Sequence, residues 1–260
     1  MLYRKLPKWE AGLFSGYFYL PDYPGAEESQ SRFLILPYVI YRGEIIRSDR
    51  GGGLRGRFFN SDVLDFDVSV GAGFKTHSAD NQAREGMPDL DWMGEIGPRA
   101  LIHLHKGSMI KIDLSLPIRY VFTTNFKSID SQGYLFQPEL KFRHRALFDD
   151  KLFFSFGGGP VWGSESLNDY FYEVSPAFAK ADRPAYDASS GYMGLQTYIA
   201  VVRRMTQDVN IFLGLSKNYY KNAENIESPL FRSIETESYF LGLSWGLYTS
   251  GVGSVDLNED

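Results

Sequence analysis

The sequence contains no cysteine. That absence removes a disulfide framework, a thiolate metal site and a cysteine nucleophile together. It also lacks any run of about 18 consecutive apolar residues, so no helix is expected to cross a membrane. Neither sign of charge dominates: 27 Lys and Arg stand against 32 Asp and Glu, for a formal net charge of -5. Such a balance gives no electrostatic footprint for nucleic acid, and no nucleic-acid partner is expected. Catalytic signatures are missing too. There is no Gly-x-Ser-x-Gly elbow and no His-Glu-x-x-His pair, and Gly157-Gly158-Gly159 is not followed by the Lys and Ser or Thr of a phosphate loop. We therefore expect no catalytic residue, no cofactor and no metal site. Met1 leads into Leu2-Tyr3-Arg4-Lys5 without an apolar core, so a secretory signal is not expected within this chain.

What the sequence has is aromatic residues, glycine and alternation. Phe and Tyr number 20 and 17, and glycine 26, in 260 residues. That mixture favours strands and tight turns over helices. In 62–76 the residues Leu64, Phe66, Val68, Val70, Ala72 and Phe74 alternate with Asp65, Asp67, Ser69, Gly71, Gly73 and Lys75. In 108–122, Ile110, Ile112, Leu114, Leu116 and Ile118 alternate with Lys111, Asp113, Ser115 and Arg119. Segments 134–147 and 236–248 repeat the pattern. Period-two alternation is the mark of a strand with two unlike faces. The runs exceed the roughly 5–6 residues of an ordinary strand and reach the roughly 9–11 needed to cross a bilayer at a tilt. Their polar faces carry full charges, which a packed soluble core does not accept in such number.

Connections alternate in length. Short turns are expected at 42–44, 60–62, 106–107, 148–150 and 206–208, and long loops at 21–31, 77–91, 123–133, 164–190 and 220–235. Keeping all short turns on one side requires 45–60 to go up and return, with Gly51-Gly52-Gly53 as the reversal; a single bent strand is the competing reading. The expected fold is all-β: a transmembrane antiparallel up-and-down barrel of about twelve strands, with short periplasmic turns and longer extracellular loops. Residues 1–8 would form a periplasmic segment, 9–248 the barrel and 249–260 a flexible acidic tail. Tyr17, Tyr19, Tyr38, Tyr41, Tyr120, Phe122, Trp162, Tyr219, Tyr220 and Tyr248 fall near strand ends, where interfacial rings are expected.

With the polar faces inward, the lumen would hold Asp65, Asp67, Glu95, Arg99, His103, His105, Lys111, Asp113, Arg119, Glu139, Lys141, Arg143 and Arg145. Mixed signs on neighbouring strands favour mutual ion pairing over a single-sign funnel; the sharper alternative is a selective channel. His103 and His105, two apart, would share a face. Loop 77–91 carries Arg84, Glu85, Asp89 and Asp91, with Arg84 expected to pair with a neighbouring carboxylate and Met87-Pro88 to fold the loop inward. Loop 164–190 carries Asp182, Arg183 and Tyr186 and many rings, which suits packing over the mouth or a sticky outer surface.

Several stretches resemble the MipA/OmpV family, the MltA-interacting protein family. They are Trp9-Glu10-Ala11-Gly12, 20–29, Leu36-Pro37-Tyr38, Tyr41-Arg42-Gly43-Glu44, 53–59, Asn81-Gln82-Ala83-Arg84-Glu85-Gly86-Met87-Pro88-Asp89-Leu90-Asp91 with Glu95-Ile96-Gly97-Pro98, and 181–192. Together they span most of 9–248. The resemblance implies a Gram-negative outer-membrane barrel among lipid and lipopolysaccharide, made with a signal peptide that this chain lacks. It implies a non-enzymatic scaffold holding a murein transglycosylase beside a murein synthase. A narrow pore or solute-binding barrel, and a surface adhesin or receptor, remain as alternatives, because a fold does not fix a function.

Overall fold

The computed structural model describes residues 6–41, 46–49, 53–56, 59–146, 151–251 and 253–254. Its wall is built from ten long strands and one short hairpin. In chain order these are β1 (Trp9–Pro21), β2 (Ser29–Tyr41), the hairpin arms β3 (Ile46–Asp49) and β4 (Gly53–Gly56), β5 (Leu64–Gly73), β6 (Trp92–Lys106) and β7 (Ile110–Thr124). Then follow β8 (Ile129–Phe136, resuming as Glu139–Arg145), β9 (Leu152–Gly163), β10 (Gly191–Arg204), β11 (Val209–Tyr219) and β12 (Glu235–Thr249). The break in β8 falls at Gln137-Pro138, where proline has no N–H to give the ladder.

Every paired neighbour is antiparallel. The ladders run β2-β1-β12-β11-β10-β9-β8-β7-β6-β5, so first and last long strands meet, as in an up-and-down barrel. The hairpin stands between the two ends of that series. Ile46 faces Gly56 and Asp49 faces Gly53, and Phe59–Asn60 pair with Phe66 and Asp65 of β5. Residues 46–49 and 53–56 thus pair as a hairpin and are not one bent strand; 45, 50–52 and 57–58 lie outside the described residues, as do the turns expected at 42–44 and 148–150.

Short turns at 61–63, 107–109 and 205–208 share one end, and loops 22–28, 74–91, 164–190 and 220–234 share the other. The long loop expected at 123–133 is absent from that set: β7 and β8 are joined by the tight turn 125–128. Asn125 Oδ1 accepts the Lys127 and Ser128 amides at 2.9 and 3.0 Å, and Phe126 takes a positive φ of 67°. Such side-chain capping lets polar, unpromising residues close a turn quickly. Chain ends meet at the turn end, where Leu6–Pro7 pair with Gly253–Ser254. Those two residues of the expected flexible tail are therefore in a ladder, and 255–260 lie outside the described residues.

Burial is inverted relative to a soluble protein. Outward positions of the strands expose large apolar side chains, including Phe33 (64%), Ile35 (61%), Val39 (56%), Leu213 (52%), Leu241 (51%) and Trp245 (52%). The fully buried apolar residues sit mainly in the loops: Tyr23, Leu90, Leu167, Phe171, Tyr172, Val174 and Leu230. A wall that turns its apolar face out and its charges in is made for lipid. Tyr17, Tyr19, Tyr120, Trp162, Tyr219 and Tyr248 are outward and exposed as expected. Tyr38 and Tyr220 are not. Tyr38 opposes Gly12 on the inner face, and Tyr220 is buried under the loops, donor or acceptor to Thr236 Oγ1 at 3.0 Å.

Candidate functional site: a capped chamber beside an ion-paired wall

The four long loops interlock into a cap. Loop 164–190 opens with a helix, α1 (Glu165–Tyr172), which the sequence pattern did not announce. At two turns it is too short to show a helical period, yet Leu167 and Phe171 at i and i+4 bury one face. Arg84 and Arg183 are both buried. Arg84 donates to the carbonyls of Phe171 and Pro88 at 3.2 and 3.3 Å and lies over the Tyr23 ring. This corrects the expected carboxylate partner. Asp89 is held instead by His77 at 2.8 Å and Lys75 at 3.3 Å, so Arg84 is left to the loop carbonyls that no strand satisfies. Arg183 donates to Phe178 O, Ala83 O and Glu85 O, between 2.9 and 3.2 Å, tying loop 164–190 to loop 74–91. The Glu85 contribution is its carbonyl, and Asp182 is exposed at the adjoining turn.

Further ties close the ring. Asn81 Nδ2 donates to Asp22 and Glu28 at 2.9 and 3.1 Å. Tyr172 Oη donates to Pro24 O, Tyr23 Oη to Leu230 O, and Tyr186 Oη to Asn225 Oδ1. Burial raises the Asp22 carboxyl above the ordinary range, and it lifts the Tyr170 phenol to about 12. Asp169 on α1 is pushed up to about 6, first by burial and then by Glu173, Glu165 and Asp187.

Beneath the cap is a chamber of about 350 Å³. Its roof is Tyr23, Leu90, Leu167, Tyr170 and Phe171, and its sides include Leu20, Phe74, Leu135, Val161 and Met193. A polar chain crosses its floor. Arg119 Nε lies 2.8 Å from Glu95, Arg119 Nη2 donates to Gln137 Oε1 at 2.5 Å, and Gln137 Nε2 donates to Gln196 Oε1 at 2.6 Å. An apolar enclosure with a few convergent polar groups is the usual form of a small-molecule site.

Below the floor, β5 to β8 carry the expected charges inward. Arg99 grips Asp67 through two bonds of 2.7 and 2.6 Å. His103 Nδ1 lies 2.6 Å from Asp113 Oδ1 and its Nε2 lies 3.3 Å from Asp65, while Arg143 closes on the other oxygen of Asp113. Lys141 pairs with Glu139 at 3.2 Å. Lys111 stands opposite Arg143 in the ladder, and Arg145 opposite Phe153. Arg99–Asp67 and Arg143–Asp113 join opposite charges across adjacent strands, which stabilises a sheet face, whereas Lys111 opposite Arg143 is a like-charge pair and Glu139–Lys141 lie two apart on one strand. His105 is the exception. A bulge between His103 and His105 sets His105 opposite Ile112, on the outward face, so the two histidines do not meet.

The other half of the lumen is different, and the alternation of charges gave no hint of it. Midway along β1, β11 and β12 the inward faces read Gly12, Phe14, Gly16, Phe18; Phe212, Gly214; and Phe240, Gly242, with Glu10, Asn210, Ser244, Ser216 and Ser238 flanking them. The rings touch in series. Phe74 to Phe18 is 5.4 Å between centroids, Phe18 to Phe240 4.9 Å, Phe240 to Phe14 6.1 Å and Phe14 to Phe212 5.9 Å. Phe74, expected outward, follows the last ladder residue of β5 and turns its ring to Phe18. The available signal was the alternation of Phe with Gly at every second position, masked in β1 by the tyrosines of its outer face.

An antiparallel up-and-down wall in which the first and last long strands pair, a lipid-facing apolar belt and a polar interior define an outer-membrane β-barrel. The family model described as MltA-interacting protein MipA matches residues 13–247, and the chain belongs to that family. Among solved structures, an outer membrane channel from Pseudomonas putida is similar over 95% of this chain and 98% of its own, at 14% identity and a TM-score of 0.51. The NanC porin is similar over 91% and 100%, at 10% identity and a TM-score of 0.42. No curated protein matches the chain.

Proposed function

We propose that this protein is a narrow, non-enzymatic solute-binding barrel of the outer membrane, taking a small molecule into the mouth chamber before it passes the ion-paired wall. The chamber carries this reading: a half-open space of about 350 Å³ lies where the loops, the most elaborate part of the chain, converge. The loop end then faces the cell exterior, and the turn end, with 6–8 and 253–254, faces the periplasm. Lipid and lipopolysaccharide surround the belt. The inward charges Asp65, Asp67, Glu95, Arg99, His103, Lys111, Asp113, Arg119, Glu139, Lys141, Arg143 and Arg145 form the selective wall, and Arg84 and Arg183 hold its lid.

Single-channel conductance of the refolded protein in a planar bilayer tests this. A small, steady, salt-dependent conductance is expected, rising severalfold in Arg99→Ala/Arg143→Ala. An inserted barrel that stays silent both as wild type and as that variant overturns the proposal.

A second reading follows from the family itself, whose description names MltA. In it the barrel holds a murein transglycosylase beside a murein synthase. Among the described residues the periplasmic surface comprises the turns 61–63, 107–109 and 205–208 and the paired segments 6–7 and 253–254. Capture of a periplasmic transglycosylase that survives cap deletion and fails when those turns are replaced would favour it.

A further inference from the structure

The two halves of the lumen are chemically unlike, and together they describe a ligand. One half, on β5 to β8, is a wall of hydrogen-bonded ions. The other, on β1, β11 and β12, carries a row of phenylalanine rings in mutual contact. Phe74 lines the chamber and touches Phe18; Phe240 stands opposite Phe18 in the ladder, Phe14 lies farther toward the turn end, and Phe212, opposite Gly242, touches Phe14. These rings are only partly buried, and of the five Phe74 lines the chamber itself. Glycines make the row possible. A Cβ at Gly16 would stand 2.8 Å from the Phe18 ring, and one at Gly242 would stand 2.6 Å from the Phe240 ring. The rings therefore lie down over bare backbone along the wall instead of projecting across the lumen.

We propose that the chamber and the row beneath it take small aromatic molecules bearing hydroxyl or carboxyl groups. The ring of the solute stacks on successive phenylalanines, offset or edge-on, as aromatic pairs prefer. Its polar substituents exchange hydrogen bonds with the Arg119–Gln137–Gln196 chain and then with the charged wall opposite. A sugar would waste the phenylalanine face, and a bare ion would find every carboxylate of the Asp67, Asp113 and Glu95 pairs already engaged. This inference rests on the chamber's being a solute site.

The test uses the refolded full chain in liposomes and two monocarboxylates of like size and charge, 4-hydroxybenzoate and gluconate, which differ in the ring. Wild type is expected to admit 4-hydroxybenzoate severalfold faster than gluconate. Phe18→Leu/Phe240→Leu keeps apolar volume but removes two rings, and should lower the 4-hydroxybenzoate rate roughly tenfold while leaving gluconate unchanged. Phe14→Leu alone, farther from the cap, should give a smaller loss of the same kind, and serves if the double variant does not insert. Equal entry of both solutes, unaffected by either variant, overturns the aromatic class and leaves the pathway standing. Entry of neither through an inserted wild-type barrel overturns the pathway and the class together.

Discussion

At the scale of single residues, the cap depends on buried charge satisfied by backbone. Arg183 serves three carbonyls from two loops. Arg183→Met keeps much of the volume and removes the donors. The orphaned carbonyls should cost the cap about 2–4 kcal/mol. Limited proteolysis should then cut within 164–190 while the barrel stays intact. Asp169 gives a pH dependence of known sign. Its folded pKa is raised to about 6, so the folded cap prefers the protonated carboxyl. Ionisation above about 6 works against α1, and acidification toward the ordinary value relieves it. Asp169→Asn should increase hydrogen-exchange protection of 165–172 at pH 7 and make no difference at pH 4.

At the scale of elements, each strand serves two solvents. Leu241 lies midway along β12, faces outward and is 51% exposed. Leu241→Arg should destabilise the inserted barrel by about 2–4 kcal/mol, as expected for a charge at the bilayer midplane. Ser238→Arg, on the inner face of the same strand, meets no such lipid penalty. Guanidinium unfolding in vesicles would separate them, and equal costs would contradict the assigned faces. The strands were legible because alternation is a local property, carried by neighbours such as Asp65, Phe66, Asp67 and Val68. Turn 125–128 and helix α1 were not. The turn is closed by Asn125 with a positive φ at Phe126, and α1 is too short to show a period. His105 was placed on the wrong face because one bulged residue inverts alternation, and nothing in its own neighbourhood marks a bulge.

At the scale of the molecule, the cap and the two-sided lumen decide what the barrel does. If the cap closes the chamber, loosening it should widen access. Arg84→Ala/Arg183→Met should raise conductance and its noise in a planar bilayer without changing the wall. An unchanged trace would mean that the constriction lies in the ion pairs alone.

The sequence by itself determined the class: no helix for the membrane, long two-faced strands, short turns opposite long loops, and charges of both signs within. It did so because lipid imposes its demand residue by residue along each strand. The tertiary structure decided which ions pair, where the arginines of the loops find their carbonyls, and that five phenylalanines from four separated segments form one row. Those relations join residues far apart in the chain, such as Phe14 with Phe240 and Arg183 with Ala83. Only closure of the wall sets them side by side.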